Sequence, residues 1–513
     1  MHRILAYIVV GFAALCSGCA SLPPLEGRSE TTAFADTQGT RLGHAIAADV
    51  AANPGKTGVH AFQDPRDAAA ARILLAAAAD KSLDVQYYIW HADEVGYLLF
   101  DALWQAAERG VRVRLLLDDL NTKGLDGTIA VLDQHPNIEV RLYNPVMQRS
   151  ARVLNFITDF SRVNRRMHNK SFTADNQASV VGGRNIGNEY FGAGSGVVFT
   201  DLDVLAVGEG VKEVSREFDL YWNSASAYPA ASFVGKAGPN AAEELETKFT
   251  SNREDRDSVV YLEAVRKTPL LRDIIEHKLA LEWTTTKLVY DDPAKTLDTG
   301  QRTDILLFPE LVRTIGRPET ALDLVSPYFV PGDEGTSALV ALAQSGVKVR
   351  ILTNSLSSSD VAAVHAGYAK RRRDLLEAGV QLYELKATGV RDSESVSELT
   401  SSSSSGLHAK TFAVDRKRIF VGSFNFDPRS ARINTEMGFV IDSPTFAQQL
   451  AQYFDTTVPM VAYEVRLMSD GQSLEWVDRS AAGEIRYTTE PRTTWFQRSK
   501  IGVLSIFPID WLL

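Results

Sequence analysis

The stretch "MHNKSFTADNQASVVGGRN", residues 167–185, recurs in altered form as "LHAKTFAVDRKRIFVGSFN", residues 407–425. Each copy has a histidine, a lysine two places later, an aspartate five places after the lysine, and a closing asparagine. The copies are 240 positions apart, as 408 − 168 shows for the histidines. The matched residues are His168 and His408, Lys170 and Lys410, Asp175 and Asp415, and Asn185 and Asn425. A constant offset across a whole motif indicates an internal duplication and excludes a chance polar turn.

The segments before each copy are also related. In the first half, "PRDAAAARILLAAAAD" predicts a helix, "SLDVQYYIW" a strand, "YLLFDALWQAAERG" a helix and "VRVRLLLDD" a buried strand. In the second half, "ALDLVSPYFV" and "TSALVALAQSGVKVRILTN" repeat this series. Strands and helices that alternate at this spacing are typical of a parallel sheet. We therefore predict an α/β protein with two duplicated halves, each a mostly parallel sheet flanked by helices, and an active site at the interface between the halves.

The same patterns divide the chain into segments. We predict a lipoprotein signal peptide at 1–18, a linker at 19–60, a first half at 61–235, a helical insertion at 236–300, a second half at 301–465, and a C-terminal tail at 466–513. A serine-rich stretch at 392–406 has the composition of a loop, either a lid over the second motif or a plain linker.

Composition limits the class of protein. The chain has 513 residues, of which 45% are hydrophobic and 23% charged, as in globular proteins with a packed core. The formal net charge is 54 − 64 = −10. Nucleic-acid-binding proteins need a basic face, so the acidic balance counts against a nucleic acid partner.

The N-terminus has the pattern of a secretion signal. Arg3 precedes an apolar run of 12 residues, Ile4 to Leu15, which is too short for a helix that crosses a ~30 Å hydrocarbon core. Ser-Gly then precedes Cys19, as in a bacterial lipobox, although Cys16 and Cys19 also form the C-x-x-C pattern of a redox site. We predict a lipid anchor on Cys19 and a protein of the cell envelope that faces the periplasm. Similarity to bacterial lipoproteins favours the outer membrane over the inner one, because Ala20 follows the cysteine.

The residue types of the repeated motif suit chemistry at a phosphate group. Side chains two apart on a strand share a face, so each histidine lies beside its lysine. Two such sets would place two imidazoles around one phosphate, one to attack phosphorus and one to protonate the leaving group. The lysines, Asn185 and Asn425 would stabilise the phosphate oxygens, and Gly183 and Ser423 would let the backbone approach the anion. This arrangement predicts no metal and no cofactor.

The acidic residues near the motifs each allow more than one role. Asp175 and Asp415 follow the motif strand at a turn, where catalysis and support of backbone amides are both open. Asp203 and Glu436 lie downstream of the two histidines, and we predict that each orients an imidazole, with Asp201 competing with Asp203 for this role.

Two further segments each allow two interpretations. Residues 149–166 carry five arginines and one acid, which indicates either a solvated face or a collar that binds lipid headgroups. The closing "RTTWFQRSKIGVLSIFPIDWLL" mixes aromatic and basic residues, as in a membrane-interface segment or an ordinary docking helix.

Together the motifs resemble the phospholipase D superfamily, whose signature is HxKxxxxD followed by Gly-Gly or Gly-Ser and Asn, twice per chain. Similarity to the bacterial cardiolipin synthase C family extends over nearly all of the mature chain, including "ITDFSRVNRRMHNKSFTADN", "GGRNIGNEYFGAG", "GSFNFDPRSARINTEMGF" and "PIDWLL". The resemblance implies phosphatidyl transfer through a phosphohistidine, with His168 as nucleophile. It also implies phospholipid substrates of the phosphatidylglycerol and phosphatidylethanolamine class, a membrane location and no metal.

Three other functions are compatible with parts of the pattern. A phospholipase D hydrolase would use the same site and let water resolve the phosphohistidine. A secreted phosphodiesterase or nuclease would keep the chemistry, but the acidic balance counts against it. A non-catalytic lipid-binding protein would not need two complete motifs. The sequence assigns no oligomeric state.

Overall fold

The computed structural model describes residues 22–25, 28–194, 198–268, 270, 273, 278–298, 300, 302–359, 361–387, 406–481 and 483–506. The predicted signal peptide, the anchor Cys19 and nearly all of the serine-rich stretch at 392–406 lie outside these residues. Within the described part of the chain, no helix combines the length and the apolar character needed to cross a membrane.

The first half contains a sheet of nine strands in the order β8-β4-β3-β2-β5-β6-β7-β1-β9. Its strands are β1 (Thr57–Phe62), β2 (Ser82–Ile89), β3 (Arg112–Asn121), β4 (Ile138–Tyr143), β5 (Ser171–Ala174), β6 (Ala178–Gly182), β7 (Asp203–Gly208), β8 (Ala227–Pro229) and β9 (Glu282–Thr284).

The second half contains a sheet of ten strands in the order β10-β16-β15-β14-β11-β12-β13-β17-β18-β19. Its strands are β10 (Thr286–Tyr290), β11 (Ala321–Val325), β12 (Lys348–Asn354), β13 (Gln381–Leu385), β14 (Lys410–Val414), β15 (Arg418–Gly422), β16 (Met437–Ile441), β17 (Ala462–Leu467), β18 (Leu474–Ser480) and β19 (Gly483–Tyr487).

Helices pack around both sheets. In the first half they are Arg41–Ala52, Pro65–Ala78, Glu94–Glu108, Asp126–Leu132, Val153–Thr158, Phe160–Val163, Asn188–Phe191, Glu209–Trp222, Ala231–Val234, Ala241–Glu254 and Arg256–Arg266. In the second half they are Leu307–Ile315, Gly332–Gln344, Ala362–Ala369, Arg372–Glu377, Pro428–Arg432, Pro444–Thr456, Val458–Val461 and Trp495–Ile506, preceded by the 3₁₀ turn Pro293–Thr296.

The predicted duplicated α/β organisation is confirmed, but the sheets are mixed rather than mostly parallel. Parallel pairing joins only β2, β3 and β4 in the first sheet, and β11, β12 and β13 in the second, among the described strands. The motif strands β5 and β14 instead run antiparallel to β2 and β11. Each begins a tight hairpin, β5–β6 or β14–β15, and so short a connection requires antiparallel pairing. The sequence shows the helix–strand alternation but not this change of direction.

Both hairpin turns have an unusual backbone that the motif supplies. Asp175 and Asn176 have φ of 53° and 51°, and Asp415 and Arg416 both have φ of 55°. Two successive residues with positive φ form the turn that best matches the twist of the flanking strands.

The two sheets pack against each other through their hairpin regions. Val181 and Val204 of the first sheet share one apolar cluster with Val421 and Phe439 of the second. The short strands β9 and β10 follow each other in the chain and pair with β1 and β16, so the polypeptide links both sheets at this point. The halves therefore share a core, and their motif hairpins lie close to the interface.

Three predicted segment descriptions need correction. The segment 19–60 is not a plain linker, because it contains the helix Arg41–Ala52 and most of β1. The insertion at 236–300 has helices, but it also contains β9 and β10, which the charged composition concealed. The tail at 466–513 continues the second sheet through β18 and β19 before its final helix.

Candidate active site

The motif histidines lie at the carboxyl ends of the parallel strands in each half. Gln86 of β2 pairs with Ser171, so His168 lies just beyond the carboxyl end of β2. Val325 pairs with Thr411, which places His408 at the equivalent end of β11. Loops at this edge of an α/β sheet are the usual position of ligand sites.

Each histidine is attached to the opposite half by its backbone. The amide of His168 donates to the carbonyl of Thr435, and the amide of His408 donates to the carbonyl of Thr200, both at 2.9 Å. Short parallel bridges join Met167 to Thr435 and Thr200 to Leu407. The two motifs therefore form one site across the interface, as the sequence predicted.

His168 is bonded to an acid of the second half. Its Nδ1 lies 2.8 Å from Oε2 of Glu436, and Glu436 also accepts hydrogen bonds from the hydroxyls of Ser423 and Ser430. Burial raises the pKa of Glu436 to about 7, against the lowering effect of Lys170 and the two serines. Burial, followed by Lys170 and Lys410, holds the pKa of His168 well below its usual value. The bond to Nδ1 leaves Nε2 facing the site.

His408 makes the reciprocal bond to an acid of the first half. Its Nδ1 lies 2.5 Å from Oδ2 of Asp201. Burial and then Lys410 lower the pKa of His408 to about 3, although Asp201 opposes them. Burial raises the pKa of Asp201, but the pair with His408 outweighs it and holds this pKa well below its usual range. Asp201 is therefore a carboxylate, and the resting imidazole is neutral.

Asp201, rather than the predicted Asp203, is thus the acid that contacts an imidazole. Asp203 does not orient an imidazole, because its carboxylate binds Arg72 at 2.9 Å and lies 3.5 Å from Arg184. It also accepts from the amide of Arg184. Residues two apart on a regular strand share a face, so the different partners of these two acids show that the chain is not regular strand between Asp201 and the start of β7 at Asp203. The crossed pairing, first half to second, was not predicted.

The two motif lysines extend into the same space. The ammonium of Lys170 donates to the carbonyl of His168 at 2.5 Å, and Lys410 makes the same bond to His408. Burial, with repulsion from Lys410, holds the pKa of Lys170 well below its usual value against the attraction of Glu436. Two lysine side chains directed into one buried space favour an anionic occupant, because an anion would stabilise their charged forms.

Gly183 and Ser423 each lie against the acid that binds a motif histidine, Asp201 and Glu436 respectively. A Cβ on Gly183 would lie 2.2 Å from Oδ1 of Asp201, so any side chain there would displace that carboxylate. Ser423 instead donates its hydroxyl to Glu436 at 2.5 Å. Glycine at this position of the first motif therefore leaves room for Asp201, and serine at the same position of the second motif binds Glu436.

The two motif asparagines differ in their contacts. The amide of Asn185 donates to the hydroxyl of Tyr190, and its oxygen accepts from the amide of Ile89. The side-chain oxygen of Asn425 is buried and has no hydrogen-bond partner among the described residues. Turning that amide to present its N–H groups would break no bond to Oδ1, so Asn425 is suited to bind an added acceptor.

Asp175 and Asp415 lie away from the histidines. Asp175 accepts the amides of Asp80, Lys81 and Ser82, and Asp415 those of Glu319, Thr320 and Ala321. Seven residues of extended chain separate Asp175 from His168, which is about 20 Å at ~3.3 Å per residue. The structure favours the structural alternative, in which these aspartates fix the start of β2 and β11, and a catalytic role for them stays a prediction.

Aromatic rings next to the histidines were missed in the sequence. Tyr88 meets His168 edge-on at 4.8 Å, and Phe199 stacks on His408 at 5.5 Å. Tyr190 meets His408 edge-on at 5.1 Å. "YYIW" and "GNEYF" contain two of these residues, but only the fold shows which aromatic side chains face the site.

The arginine-rich segment 149–166 is not an open collar of unpaired cations. Arg149 binds Asp119 and Asp126, and Arg166 binds Asp118. Burial raises the pKa of Asp118 to about 6 even though Arg166 lowers it. These pairs instead fix the loop that leads directly into His168.

One group of possible metal ligands occurs in the described part of the chain. The ligand atoms of His91, Asp93 and Glu189 lie within 4.8 Å of one another. They have protein partners, since Nδ1 of His91 lies 3.2 Å from Glu189 and Asp93 accepts the amides of Gly96 and Asn188. The group includes neither motif histidine, and the absence of metal from the site chemistry stays a prediction.

Comparison with known proteins agrees with this geometry. The family model described as "Cardiolipin synthase, PLD-like domain" matches residues 73–222 and 311–458, one range in each half. The chain belongs to this family. The resemblance inferred from the two motifs is therefore confirmed.

Individual relatives support the same assignment. Cardiolipin synthase C of Escherichia coli (strain K12) is 46% identical over 474 residues, which cover 92% of this chain and 100% of that protein. The major cardiolipin synthase of Bacillus subtilis (strain 168) is 26% identical and covers 73% of this chain and 64% of its own. The solved phosphatidylserine synthase of Haemophilus influenzae has a TM-score of 0.52 at 13% identity, covering 82% of this chain and 91% of its own. This last likeness concerns the fold alone.

Proposed function

We propose that the protein is a phosphatidyltransferase that makes cardiolipin from two phospholipids through a phosphohistidine. One observation carries the proposal: each motif histidine is bonded through Nδ1 to an acid of the other half, His168 to Glu436 and His408 to Asp201. Both Nε2 atoms are thereby left to act on one phosphate. The likeness to cardiolipin synthase C of Escherichia coli supports the choice of lipid substrates.

In the first step, Nε2 of one histidine attacks the phosphorus of the donor lipid. The bond from phosphorus to the headgroup oxygen breaks, and the second imidazole gives its proton to that oxygen, releasing glycerol or ethanolamine. In the second step, a hydroxyl of phosphatidylglycerol loses its proton to the second imidazole and attacks phosphorus. The phosphorus–nitrogen bond then breaks, which restores the free histidine and yields cardiolipin.

The site favours neutral imidazoles, and a bound substrate would raise their pKa values. Lys410 is among the causes that lower the pKa of both histidines, and Lys170 acts in the same direction. The negative charge of a bound phosphodiester would counteract the lysine ammonium groups and raise the imidazole pKa values, so that one histidine can carry the proton that the leaving group needs. The lysines would also stabilise the equatorial oxygens in the transition state.

We assign the nucleophile to His168 and the acid–base role to His408. The side chain of His168 is 8% exposed, against 18% for His408. A nucleophile that forms a hydrolysable intermediate benefits from shielding from water. The acid–base residue must exchange protons with a leaving and an entering hydroxyl, which suits the more accessible ring.

Lipid substrates also imply a membrane location for the chain. We propose that acylated Cys19 anchors the protein in the cell envelope on the periplasmic side, with the outer membrane favoured. The apolar run, the lipobox-like Ser-Gly-Cys and Ala20 support this location.

The test uses purified full-length protein in vesicles of phosphatidylglycerol and phosphatidylethanolamine, with products resolved by lipid mass spectrometry. We expect cardiolipin from the wild type and from His44→Ala, which changes an exposed histidine outside the site. We expect none from His168→Ala or His408→Ala. Phosphatidic acid without cardiolipin would make water the acceptor and the protein a hydrolase.

A further inference from the structure

A short helical segment on the rim of the site exposes apolar side chains to solvent. The helices Val153–Thr158 and Phe160–Val163 follow β4 and precede His168, so they lie at the carboxyl edge of the first sheet. Val153 and Ile157 are 72% and 77% exposed, and Leu154 and Phe160 are also exposed. These four residues, which we call the rim face, lie at positions i, i+1 and i+4 of the first helix and at the start of the second.

The rim face is held rigidly, so its exposure does not result from a loose loop. Asn155 is buried and accepts the amides of Met147 and Gln148. Arg152 donates to the carbonyl of Leu120 and lies against Asp126. A preordered apolar face loses little conformational entropy when it is covered.

A second exposed apolar face lies on the last helix, Trp495–Ile506. Trp495 and Phe496 are 74% and 72% exposed, and Val503 is exposed as well. We call these three residues the tail face. The opposite side of the helix packs through Ile501 on Leu356 and Ala366.

The tail face also belongs to the edge that carries the site. The helix beneath it, Ala362–Ala369, follows the carboxyl end of β12, just as the rim segment follows the carboxyl end of β4. The carboxyl ends of β2 and β11 hold the two histidines. Each half therefore contributes one exposed apolar face to the edge of its sheet where the site lies.

Charge favours an anionic surface over a neutral one as the occupant. Residues 491–506 contain Arg492, Arg498 and Lys500 and no acid, in a chain with net charge −10. Arg492 and Arg498 donate to the carbonyls of Ala387 and Thr493. On the rim segment, the acid Asp159 is paired with Arg162 at 2.5 Å. Aromatic and aliphatic side chains with neighbouring cations are the pattern of an anionic lipid interface.

We infer that the rim face and the tail face together form the surface that rests on an anionic phospholipid bilayer and turns the active-site edge towards it. The choice of a bilayer as occupant rests on the proposed function, because a phospholipid donor reaches the histidines from that side. Burying the seven side chains would remove their apolar surface from water.

The direct test needs no turnover. Full-length protein is reconstituted in vesicles of phosphatidylglycerol and phosphatidylethanolamine that contain a phospholipid with a photoreactive acyl chain, then irradiated and mapped by peptide mass spectrometry. We expect cross-links in residues 150–163 and 495–506, and none in 307–315, where Val312 is 49% exposed on a helix that leads to the amino end of β11. Cross-links confined to other segments, or protein–protein cross-links through these two faces, would overturn the inference.

A second arm uses activity with two forms of substrate. Val153→Glu combined with Ile157→Glu should lower turnover of vesicle lipid about tenfold or more, a loss of about 1.4 kcal/mol, and leave turnover of a monomeric short-chain phospholipid within about twofold. Val312→Glu should change neither. Equal loss on both substrates would mean damage to the site and would count against the inference. Absence of product from wild type on both substrates would refute the proposed function, while the cross-linking map would still test the surface.

Discussion

Nδ1 of His168 lies 2.8 Å from the carboxylate of Glu436, a residue of the other half of the chain. The reciprocal bond joins His408 to Asp201 at 2.5 Å. Neither half therefore contains a histidine together with the acid that orients it. The internal duplication produces a working pair only because the halves face each other, and this explains why the chain needs both copies.

Asp201→Asn and Glu436→Gln test the crossed pairs. Each change keeps the size of the side chain but offers an N–H to Nδ1 of the paired histidine, which favours the wrong tautomer. Loss of an orienting carboxylate costs up to about 10⁴-fold in kcat at histidine-dependent hydrolase sites, and we expect a loss of at least about 10²-fold here. Steady-state kinetics on vesicle lipid would measure it. Wild-type kcat in either variant would refute the pairing.

Asp203→Asn provides the contrasting case. Asp203 forms a fully buried pair with Arg72, and removing one partner of such a pair costs about 3–5 kcal/mol. We expect a lower Tm for Asp203→Asn, and a Tm close to wild type for Glu436→Gln, whose carboxyl pKa of about 7 shows that its ionised form is not strongly favoured. Thermal unfolding followed by circular dichroism separates the two. A normal Tm in Asp203→Asn would contradict the structural role.

The sequence contained the motifs and the duplication because these are local patterns with a constant offset. The two-residue spacing of His168 and Lys170, and of His408 and Lys410, directly indicates that the members of each pair share a strand face. The acids were harder to place, because Asp201 and Asp203 are only two residues apart. Asp201 precedes β7, and Asp203 begins it. The direction in which each carboxylate points depends on the backbone conformation at the start of β7. The spacing of residues in the sequence does not determine that conformation.

Partners across the interface were beyond sequence reasoning for a related reason. Glu436 lies downstream of His408, and Asp201 and Asp203 lie downstream of His168, so the sequence suggested pairing within each half. The bonds of His168 and His408 to Thr435 and Thr200 show that contact between halves decides the partner. Such non-local contacts leave no periodic signal. Aromatic neighbours such as Phe199 were missed because many aromatic residues are simply core.

Asp175→Asn tests the structural role of the motif aspartates. The carboxylate of Asp175 accepts three backbone amides, and an amide nitrogen in its place would face these donors. We expect the free energy of unfolding to fall by about 1–3 kcal/mol and kcat to stay within about twofold. Urea unfolding and kinetics measure both quantities, with the exposed Asp304→Asn as matched control. A loss of kcat with normal stability would restore a catalytic role.

Asp415 adds a pH dependence with a defined sign. Burial raises the pKa of Asp415, but the amides of Thr320, Ala321 and Glu319 outweigh burial and lower it. A carboxyl whose folded pKa lies below its unfolded value of about 3.9 stabilises the fold above that pH and loses this effect as pH falls through the folded pKa. The difference in stability between wild type and Asp415→Asn should therefore shrink below about pH 4. Urea unfolding across this range would show it, and a difference that grows on acidification would contradict the sign.

Cys16 and Cys19 offer a matched pair for the proposed anchor. In cells fed radiolabelled palmitate, we expect label on wild type and on Cys16→Ala, and none on Cys19→Ala, because only the cysteine after Ser-Gly would be acylated. Immunoprecipitation and autoradiography provide the measurement. Equal labelling of all three proteins, or label that depends on Cys16, would rule out acylation at Cys19.

Glu217 is a buried carboxyl directly behind the first motif. It accepts hydrogen bonds from Asn169, the residue between His168 and Lys170, and from Gln86. Burial raises its pKa to about 8, against the lowering effect of Asn169 and Gln86. The unfolded chain loses this proton near pH 4.5, so between about pH 4.5 and 8 the native state binds more protons than the unfolded state. Glu217 therefore makes stability fall as pH rises across that window.

Glu217→Gln removes this dependence. In the part of the chain that the structure describes, the side-chain oxygen of Gln86 is buried without a partner, so its amide can turn and accept from a glutamine at position 217. We expect the variant to be more stable than wild type by about 2–4 kcal/mol at pH 8, and by much less at pH 5. Urea unfolding at both pH values measures the difference, with Glu213→Gln on the same helix as control. A variant that is destabilised equally at both pH values would show that the carboxylate, not the carboxylic acid, is the form that the fold requires.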